Sequence, residues 1–211
     1  MSQPRESWYA RNILPRVIDL GCGAPQVAEK RQDIVPQAEG LVVEIGLGSG
    51  RNLPYYDAGK VSRVIGVDPS DAMLDLARKR SGALDFELDL RAVSGEALPL
   101  ETGEADCLVC TFSLCTIPDP GQALAEMRRV LKPGGRLLFA EHGASPDAGV
   151  KRWQDRMNGL WGRIAGGCHL NRPILALIEG GGFQVTEQES GYLKGSPKMM
   201  SYVTTGSALV R

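Results

Sequence analysis

An alternation of short apolar segments with amphipathic ones runs through most of this sequence and limits the folds that it can adopt. Apolar segments of strand length occur at residues 41–45, 63–67, 86–93, 105–112 and 136–140. Helix-like segments lie between them: one follows Ser70, a suitable N-terminal cap, and another stops at Lys132-Pro-Gly-Gly135. Strands that alternate with helices form a parallel sheet that is covered by helices on both faces.

The C-terminal part departs from this alternation. Residues 183–187 and 199–205 read as strands without a clear helix between them, which predicts an antiparallel pair at one edge of the sheet. We therefore expect an α/β fold with a Rossmann-like, doubly wound, seven-stranded sheet. The sheet is mostly parallel with an antiparallel C-terminal strand pair, and 211 residues suffice for one such domain.

A long segment, residues 143–170, separates the fifth strand from the C-terminal pair. It follows a strand directly, so it lies beyond the carboxyl ends of the strands, where open α/β sheets bind ligands. Four of its apolar residues share helical spacing: Trp153, Met157, Leu160 and Trp161. They predict a helix that either packs its apolar side onto the domain or lines a site for an apolar substrate.

Charge and cysteine usage argue against several classes of protein. The 24 Lys and Arg residues nearly balance the 25 Asp and Glu residues, so we expect no nucleic-acid partner. We find no apolar segment of membrane-spanning length and no secretory signal in MSQPRESWYARN, and we predict a cytoplasmic protein. The five cysteines form no disulfide pattern, and Cys107 and Cys110 have no second pair to complete a zinc site. We therefore expect free thiols and no metal.

Two glycine-rich segments compete as the ligand loop: VIDLGCG at 17–23 and VVEIGLGSG at 42–50. The second is favoured because its three glycines alternate and because Asp68 ends the next strand about 20 residues later. A carboxylate at that distance can accept hydrogen bonds from ribose hydroxyls. The first segment has Pro25 in place of a third glycine, and we interpret it as part of an N-terminal lid or packing segment.

The spacing of the second loop also limits its ligand. A pyrophosphate-binding loop has its third glycine one position later and opens a helix there. Here Pro54 keeps Leu53 away from helical conformation, and no lysine follows to make a P-loop. A ligand with ribose and adenine but no phosphate fits better than NAD or ATP, so a Rossmann dehydrogenase is the disfavoured alternative.

Five motifs resemble, in their order, those of class I S-adenosylmethionine (SAM) methyltransferases: VVEIGLGSGRN, VIGVDPSDAML, SGEALPL, DCLVCTFSLCTIPD and RRVLKPGGRLLFAEH. The later EHG, Trp153, GCHLNR at 167–172 and GGGF are similar to the type 11 methyltransferase family. Within it they resemble the branch that contains bacterial members and the human membrane-associated thiol methyltransferases. The human proteins carry an N-terminal hydrophobic anchor, and we expect none here.

The resemblance also divides the single predicted methyltransferase domain, 1–211, into four parts. They are a helical N-terminal lead-in or lid at 1–40, a SAM-binding core at 41–142, a substrate-side helical insertion at 143–180 and the C-terminal strand pair at 181–211. The glycine-rich segment at 17–23 falls within the lead-in, which is helical in this branch.

The resemblance implies that SAM is the cofactor and S-adenosylhomocysteine the product. The loop glycines would approach the amino-acid part of SAM, Asp68 would bind the ribose and Thr111 would lie beside the methionine part. Ser94 stands where many members carry an acidic residue for the adenine amino group, and Gly95 or Glu96 would substitute for it. The cofactor-binding candidates are Glu44, Gly46, Gly48, Gly50, Asn52, Asp68, Pro69, Ser94, Gly95, Glu96 and Thr111.

Methyl transfer is an in-line displacement at a methyl group that the sulfonium already activates, so alignment and desolvation supply much of the catalysis. A thiol acceptor, with a reference pKa of about 8.5, needs only modest help from a base. His142 and His169 are the candidate bases, and hydrogen bonding within the lid is the alternative for both. Glu141 is expected to orient a backbone group or His169.

The predicted function is SAM-dependent methyl transfer to a small, rather apolar acceptor, with a thiol favoured by the resemblance. One alternative is an amine or lipid-headgroup N-methyltransferase, which needs an acidic or aromatic cage for the cation. The other is a non-catalytic SAM-binding module with no open acceptor pocket. The sequence predicts no oligomeric state.

Overall fold

The computed structural model of the protein describes residues 13–211, and the part of the predicted lead-in before residue 13 lies outside them. Seven strands form one sheet in the order β3-β2-β1-β4-β5-β7-β6. They are β1 (Gly40–Ile45), β2 (Val61–Val67), β3 (Glu87–Arg91), β4 (Ala105–Thr111), β5 (Leu131–His142), β6 (Phe183–Tyr192) and β7 (Tyr202–Val210). Strands β1 to β5 pair in parallel, and β7 is antiparallel to β5 and to β6, which confirms the predicted fold class.

Six α-helices accompany the sheet within residues 13–211. They are α1 (Leu14–Cys22), α2 (Pro25–Ile34), α3 (Asp71–Ser81), α4 (Pro120–Val130), α5 (Ala148–Ile164) and α6 (Ile174–Gly180). Short 3-10 helices span Val35–Gln37, Leu53–Tyr55 and Lys198–Met200. The predicted cap of α3 is confirmed, because the Ser70 side chain accepts a hydrogen bond from the Met73 amide. Asp119 caps α4 in the same way.

Helices cover both faces of the sheet. On one face, Leu124 and Met127 of α4 and Ile178 of α6 are fully buried against Phe139 of β5. On the other face, buried Leu74 and Ala77 of α3 pack with Val64 and Leu138. Burying one such aliphatic side chain contributes about 1.5–3 kcal/mol. These two apolar layers hold the strands of the doubly wound sheet in place.

Several strand boundaries differ from the sequence prediction. Strand β6 was expected to end at residue 187 but extends to Tyr192. The last strand was expected at 199–205, but residues 198–200 form a 3-10 helix and β7 extends to Val210. Strand β5 begins earlier than expected, since Leu131 already pairs with Ala105 and regular pairing resumes only at Arg136 opposite Cys107. Pro133, Gly134 and Gly135 lie between Leu131 and Arg136 and interrupt the regular pairing of β5 with β4. They do not end the strand.

The predicted helix of the 143–170 segment exists as α5, but its apolar side is only partly packed onto the domain. Trp153 and Leu160 have exposed fractions of 36% and 55%, whereas Met157 and Trp161 are half-buried. The buried side chain of α5 is instead the polar Gln154, which bonds to the Ser145 amide and to the Gly143 and Met199 carbonyls. None of the described helices is long and apolar enough to cross a membrane.

The order of the strands in the sheet indicates where a ligand would bind. Strands β2 and β3 lie on one side of β1, whereas β4 and β5 lie on the other. The chain therefore reverses direction across the sheet between β1 and β4, and the loops at their carboxyl ends diverge. In open α/β sheets the ligand binds in the crevice at this point.

Candidate functional site

A cavity of about 360 Å³ lies at the crevice between the carboxyl ends of β1 and β4. It is within the range of about 300–1000 Å³ that is usual for small-molecule sites. Seven of the predicted site residues line it: Gly46, Gly48, Asp68, Pro69, Ser94, Gly95 and Thr111. A shallower depression beside β3 is lined mainly by Leu84, Phe86, Leu88 and Leu90 and contains none of them.

The glycine loop after β1 forms the floor of the cavity. Gly46, Gly48 and Gly50 all have positive φ, at 69°, 60° and 75°. A Cβ atom on Gly46 would collide with the Ser113 hydroxyl, and one on Gly50 would lie 3.2 Å from the Cα atom of Ala77 in α3. Gly46 thus lets the loop approach the end of β4, whereas Gly50 does not line the cavity and lets the loop pack on α3.

Asp68 connects this loop to the end of β2. One carboxylate oxygen accepts a hydrogen bond from the Gly48 amide at 3.0 Å, and the other accepts one from the Ser70 amide at 2.9 Å. Burial raises the pKa of Asp68, although the two amide bonds oppose that effect. The carboxylate is held in one orientation at the cavity wall, with lone pairs left for further donors.

The loop after β3 is closed by Glu96. One Glu96 oxygen accepts a hydrogen bond from the Ser94 hydroxyl at 2.6 Å, and the other accepts one from the Asp119 amide at 2.7 Å. Ser94 and Gly95 line the cavity, but Glu96 does not. Its carboxylate joins the β3 loop to the start of α4, so it supports the residues that face the ligand.

Glu44 and Asn52 lie behind the cavity rather than in its wall. Glu44 is fully buried and accepts hydrogen bonds from the Asn52 amide at 2.9 Å and from the Tyr56 hydroxyl at 2.6 Å. Burial raises the pKa of Glu44 to about 7, with the two hydrogen bonds and Arg31 acting in the opposite direction. Asn52 also donates to Thr111, which does line the cavity.

Arg31 of α2 is a cavity residue that sequence reasoning missed. Its Nη1 atom donates to Asn52 at 2.7 Å and to Thr111 at 2.6 Å, while its Nε atom is buried without a hydrogen-bond partner. The guanidinium carbon lies 5.1 Å from the ring centroid of Phe112, a non-glycine residue with a φ of 54°. A single arginine in a polar helix gives no sequence signal, because its partners are 21 and 80 positions away.

The first glycine-rich segment is not a ligand loop. Residues 17–22 belong to α1, and Leu14, Pro15, Ile18 and Cys22 of that helix line the cavity. Asp19 faces the true glycine loop, where it accepts hydrogen bonds from Ser49 and Arg51. The segment therefore covers the site as a lid or packing element would.

The two predicted histidines do not line the cavity. His142, the last residue of β5, has its Nε2 atom 3.7 Å from the Cys168 Sγ atom. Contacts with Cys168 and with Glu141 raise the pKa of His142 against the opposing effect of its burial, which is the largest single influence. His169 has its Nδ1 atom 2.9 Å from the Asn158 amide nitrogen, and burial lowers the pKa of this histidine.

Glu141 orients a backbone group, one of its two predicted roles. It is fully buried, and one oxygen accepts hydrogen bonds from the Ser113 amide at 2.8 Å and the Leu114 amide at 3.1 Å. Ser113 in turn donates to the Gly46 carbonyl at 3.2 Å. Burial raises the pKa of Glu141 to about 7. The end of β4 and the glycine loop are thereby fixed to each other.

The fold and this site define a SAM-dependent methyltransferase, and comparisons with known proteins agree. A family model described as a methyltransferase domain matches residues 43–139. Human thiol S-methyltransferase TMT1B is 31% identical over 176 residues, which is 78% of this chain and 71% of the human protein. The rat thiol S-methyltransferase TMT1B is 33% identical over 155 residues, which is 72% of this chain and 63% of the rat protein. The chain belongs to this family of SAM-dependent methyltransferases, and SAM is its cofactor.

Solved structures support the fold. A geranyl diphosphate methyltransferase in complex with SAM matches 99% of this chain and 93% of its own, with a TM-score of 0.69 and 16% identity. A chain in the complex of the Haloferax volcanii Trm112 methyltransferase activator with a methyltransferase gives a TM-score of 0.70 at 20% identity. That match covers 95% of this chain and 98% of the other. At these identities the similarity is one of fold.

Proposed function

We propose that this methyltransferase transfers the methyl group of SAM to a small, rather apolar thiol. The observation that carries the proposal is the composition of the cavity wall. Among residues 13–211, the only charged side chains that line the cavity are Arg31, Arg51 and Asp68, and the only aromatic one is Phe112. A cationic amine acceptor would need carboxylates or several aromatic rings around it, and the residues that line this cavity do not supply them.

The apolar part of the wall includes residues from two segments of the chain. Leu14 and Ile18 of α1 line the cavity, and so do Ile117 and Pro118 after β4. An uncharged or weakly acidic acceptor with an apolar body would bury its carbon atoms between these groups. The human and rat relatives are named thiol S-methyltransferases, which agrees with a thiol acceptor.

The residues at the other end of the cavity would hold the cofactor. Asp68 would accept the ribose hydroxyls, and the backbone of Gly46 and Gly48 would pass beside the amino-acid part. The guanidinium of Arg31, which lines the cavity, would face the carboxylate of that part, because an arginine presents several donors that are suited to bind a carboxylate. Ser94, Gly95 and Pro69 would surround the ribose and adenine.

Several predicted residues would act without contacting the cofactor. Glu44 and Asn52 would orient Arg31 and Thr111 through the hydrogen bonds described above, Glu96 would hold the β3 loop, and Gly50 would seat the glycine loop on α3. When bound, SAM would supply a sulfonium-bound methyl group, whose carbon the acceptor sulfur attacks in line with S-adenosylhomocysteine as the leaving group. The protein would align the acceptor with the methyl group and exclude water from the cavity. Helix α1, which lines the cavity, would contribute to the exclusion of water.

No base is required at the acceptor sulfur by this proposal. A thiol with a pKa of about 8.5 is already partly ionised near neutral pH. The base role of His142 and of His169 stays a prediction from the sequence, and neither side chain lines the cavity. Activity of a His169→Ala variant would show directly whether that ring is needed.

The test is label transfer from methyl-labelled SAM to three acceptors that share one apolar carbon skeleton and end in a thiol, an amine or a hydroxyl. We expect the thiol to be labelled and the other two to remain unlabelled. Asp68→Asn removes the carboxylate charge at the proposed ribose contact. This variant serves as a control, and we expect it to transfer less label from SAM than the wild type does. Labelling of the amine in preference to the thiol would contradict the proposed acceptor. SAM binding without transfer to any acceptor would favour a non-catalytic SAM-binding module.

A further inference from the structure

Three side chains that are far apart in the sequence converge beside the cavity. Cys115 follows β4, His142 ends β5 and Cys168 lies in the segment after α5. Their two Sγ atoms and a ring nitrogen of His142 all lie within 4.8 Å of one another. Cys115 is buried, and the other two are partly buried. The sequence predicts no metal site, because Cys107 and Cys110 are the pair at metal-ligand spacing and no second pair follows them.

The backbone holds this cluster in place. The His169 amide donates to the Cys115 carbonyl at 2.8 Å, which ties the segment after α5 to the loop after β4. Gly167 has a φ of 89°, and a Cβ atom there would lie 3.6 Å from the Thr116 carbonyl oxygen. Strands β4 and β5 pair in parallel, so the residues that follow them emerge at the same edge of the sheet. The three donors are therefore preorganised by main-chain contacts.

The donor set suits a thiophilic divalent cation. Two cysteine sulfurs and one histidine nitrogen form the three-ligand set of catalytic zinc sites, in which the fourth tetrahedral position is left for substrate or water. Bond lengths of about 2.1 Å to nitrogen and 2.3 Å to sulfur place tetrahedral donors about 3.5–3.8 Å apart. The distance of 3.7 Å between Cys168 Sγ and His142 Nε2 already meets this requirement.

A positive charge lies beside the two cysteines. The Arg172 guanidinium donates to the carbonyl of Leu114 and, at 2.7 Å, to that of Ile117, and its positive charge acts on both Cys115 and Cys168. Metal coordination displaces the thiol protons and uses both sulfurs.

The cluster also adjoins the acceptor end of the cavity. Thr116, the residue after Cys115, lines the cavity, and so does Gly166, two residues before Cys168. An ion held by the three side chains would thus lie next to the wall that faces an acceptor.

We infer that Cys115, His142 and Cys168 bind one zinc ion through Sγ, Nε2 and Sγ, and that its fourth coordination position receives the acceptor sulfur. The second part of this inference rests on the proposed thiol acceptor. On coordination the acceptor thiol loses its proton to solvent. Its sulfur then forms the new bond to the methyl carbon as the sulfonium carbon–sulfur bond breaks, and that electron pair stays on the departing S-adenosylhomocysteine.

The test uses the full chain stripped of metal with a chelator and titrated with Co²⁺, whose thiolate complexes absorb in the near ultraviolet. We expect one Co²⁺ per chain, a thiolate-to-cobalt absorption band and displacement of cobalt by Zn²⁺. Cys115→Ala, His142→Ala and Cys168→Ala should each weaken binding by more than the roughly 10–100-fold that loss of an outer-shell partner costs. Cys107→Ala, a buried cysteine of β4 outside the cluster, is the matched control and should bind like the wild type.

SAM affinity of each variant, measured in parallel, shows whether it is folded. Equal Co²⁺ affinity in the wild type and in a folded Cys168→Ala variant would overturn the site, as would the lack of a thiolate absorption band. Metal binding without thiol methylation would contradict the proposed thiol acceptor but would still support the proposed metal site. Thiol methylation by a chain that binds no metal would overturn the proposed metal site but would still support the proposed thiol acceptor.

Discussion

The Asp19 carboxylate of α1 accepts a hydrogen bond from the Nε atom of Arg51 at 2.8 Å, across 32 positions of sequence. Arg51 also donates to the Asp19 carbonyl, and Arg80 of α3 makes a second ion pair with the same carboxylate at 3.1 Å. Partial burial alone would raise the pKa of Asp19, but the bonds from Arg51 and Ser49 hold it below its ordinary value. This contact fastens the lid helix to the glycine loop.

Replacing Asp19 should loosen the lid. Asp19→Asn removes the charge that three donors share, and hydrogen bonds to charged groups contribute about 1.5–3 kcal/mol. Because α1 covers the cavity, we expect the dissociation constant of SAM to rise roughly tenfold, as measured by calorimetry. Asp33→Asn, on an exposed position of α2, is the control with unchanged affinity. An Asp19→Asn variant that binds SAM like the wild type would show that the lid contributes nothing to cofactor binding.

Replacing Asp68 tests the choice between the two glycine loops. Asp68→Ala should weaken SAM binding by roughly 10–100-fold, because charge-assisted bonds worth about 1.5–3 kcal/mol are lost. The Gly48 and Ser70 amides also lose their acceptor, so thermal unfolding of the variant should be measured beside its SAM affinity. Asp85→Ala changes an exposed carboxylate in the segment before β3 and should leave binding unchanged. Undiminished affinity in folded Asp68→Ala would refute the ribose contact.

Replacing Arg31 tests its contact with the amino-acid part of SAM. Arg31→Lys keeps the charge but loses the planar donor set, so we expect roughly tenfold weaker binding of SAM. Binding of 5′-methylthioadenosine, which lacks the amino-acid part, should not change. Arg78→Lys, at an exposed position of α3, is the matched control. If both ligands weaken equally, Arg31 acts through the fold of the cavity and not through the carboxylate.

Glu44 should make the stability of the protein depend on pH. Its pKa is raised by burial from an ordinary value of 4.5 to about 7 in the folded protein. Between these values the folded state retains a proton that the unfolded state has lost, so this contribution is present below pH 4.5 and is lost as pH rises through 7. The loss should amount to about 3 kcal/mol of the free energy of unfolding.

The measurement is urea unfolding of the wild type and Glu44→Gln at several pH values. Glu141, whose pKa is also raised to about 7, is present in both proteins, so the difference between them isolates Glu44. We expect Glu44→Gln to gain stability relative to the wild type as pH increases from 4.5 to 8. A difference that stays constant over this range would mean that Glu44 does not titrate there.

The sequence by itself determined the class of fold and predicted where the cofactor binds. Apolar runs, glycine spacing and the acidic residue that follows β2 are features of neighbouring residues, and local sterics and burial decide them. Gly46, Gly48 and Asp68 could therefore be proposed as cofactor-binding residues from their spacing, and the motifs indicated the family. The same local reasoning dismissed the segment at 17–23 as a ligand loop.

Only the tertiary structure decided which side chains meet. Arg31 reaches Thr111 across 80 positions, and Asp19 reaches Arg80 across 61. Cys115, His142 and Cys168 converge because β4 and β5 end at one edge of the sheet and the segment after α5 returns to it. The exposed apolar side of α5 likewise depends on where that helix is packed. Periodicity carries no information on such long-range contacts, since they are fixed by strand order and by the packing of distant elements against one another.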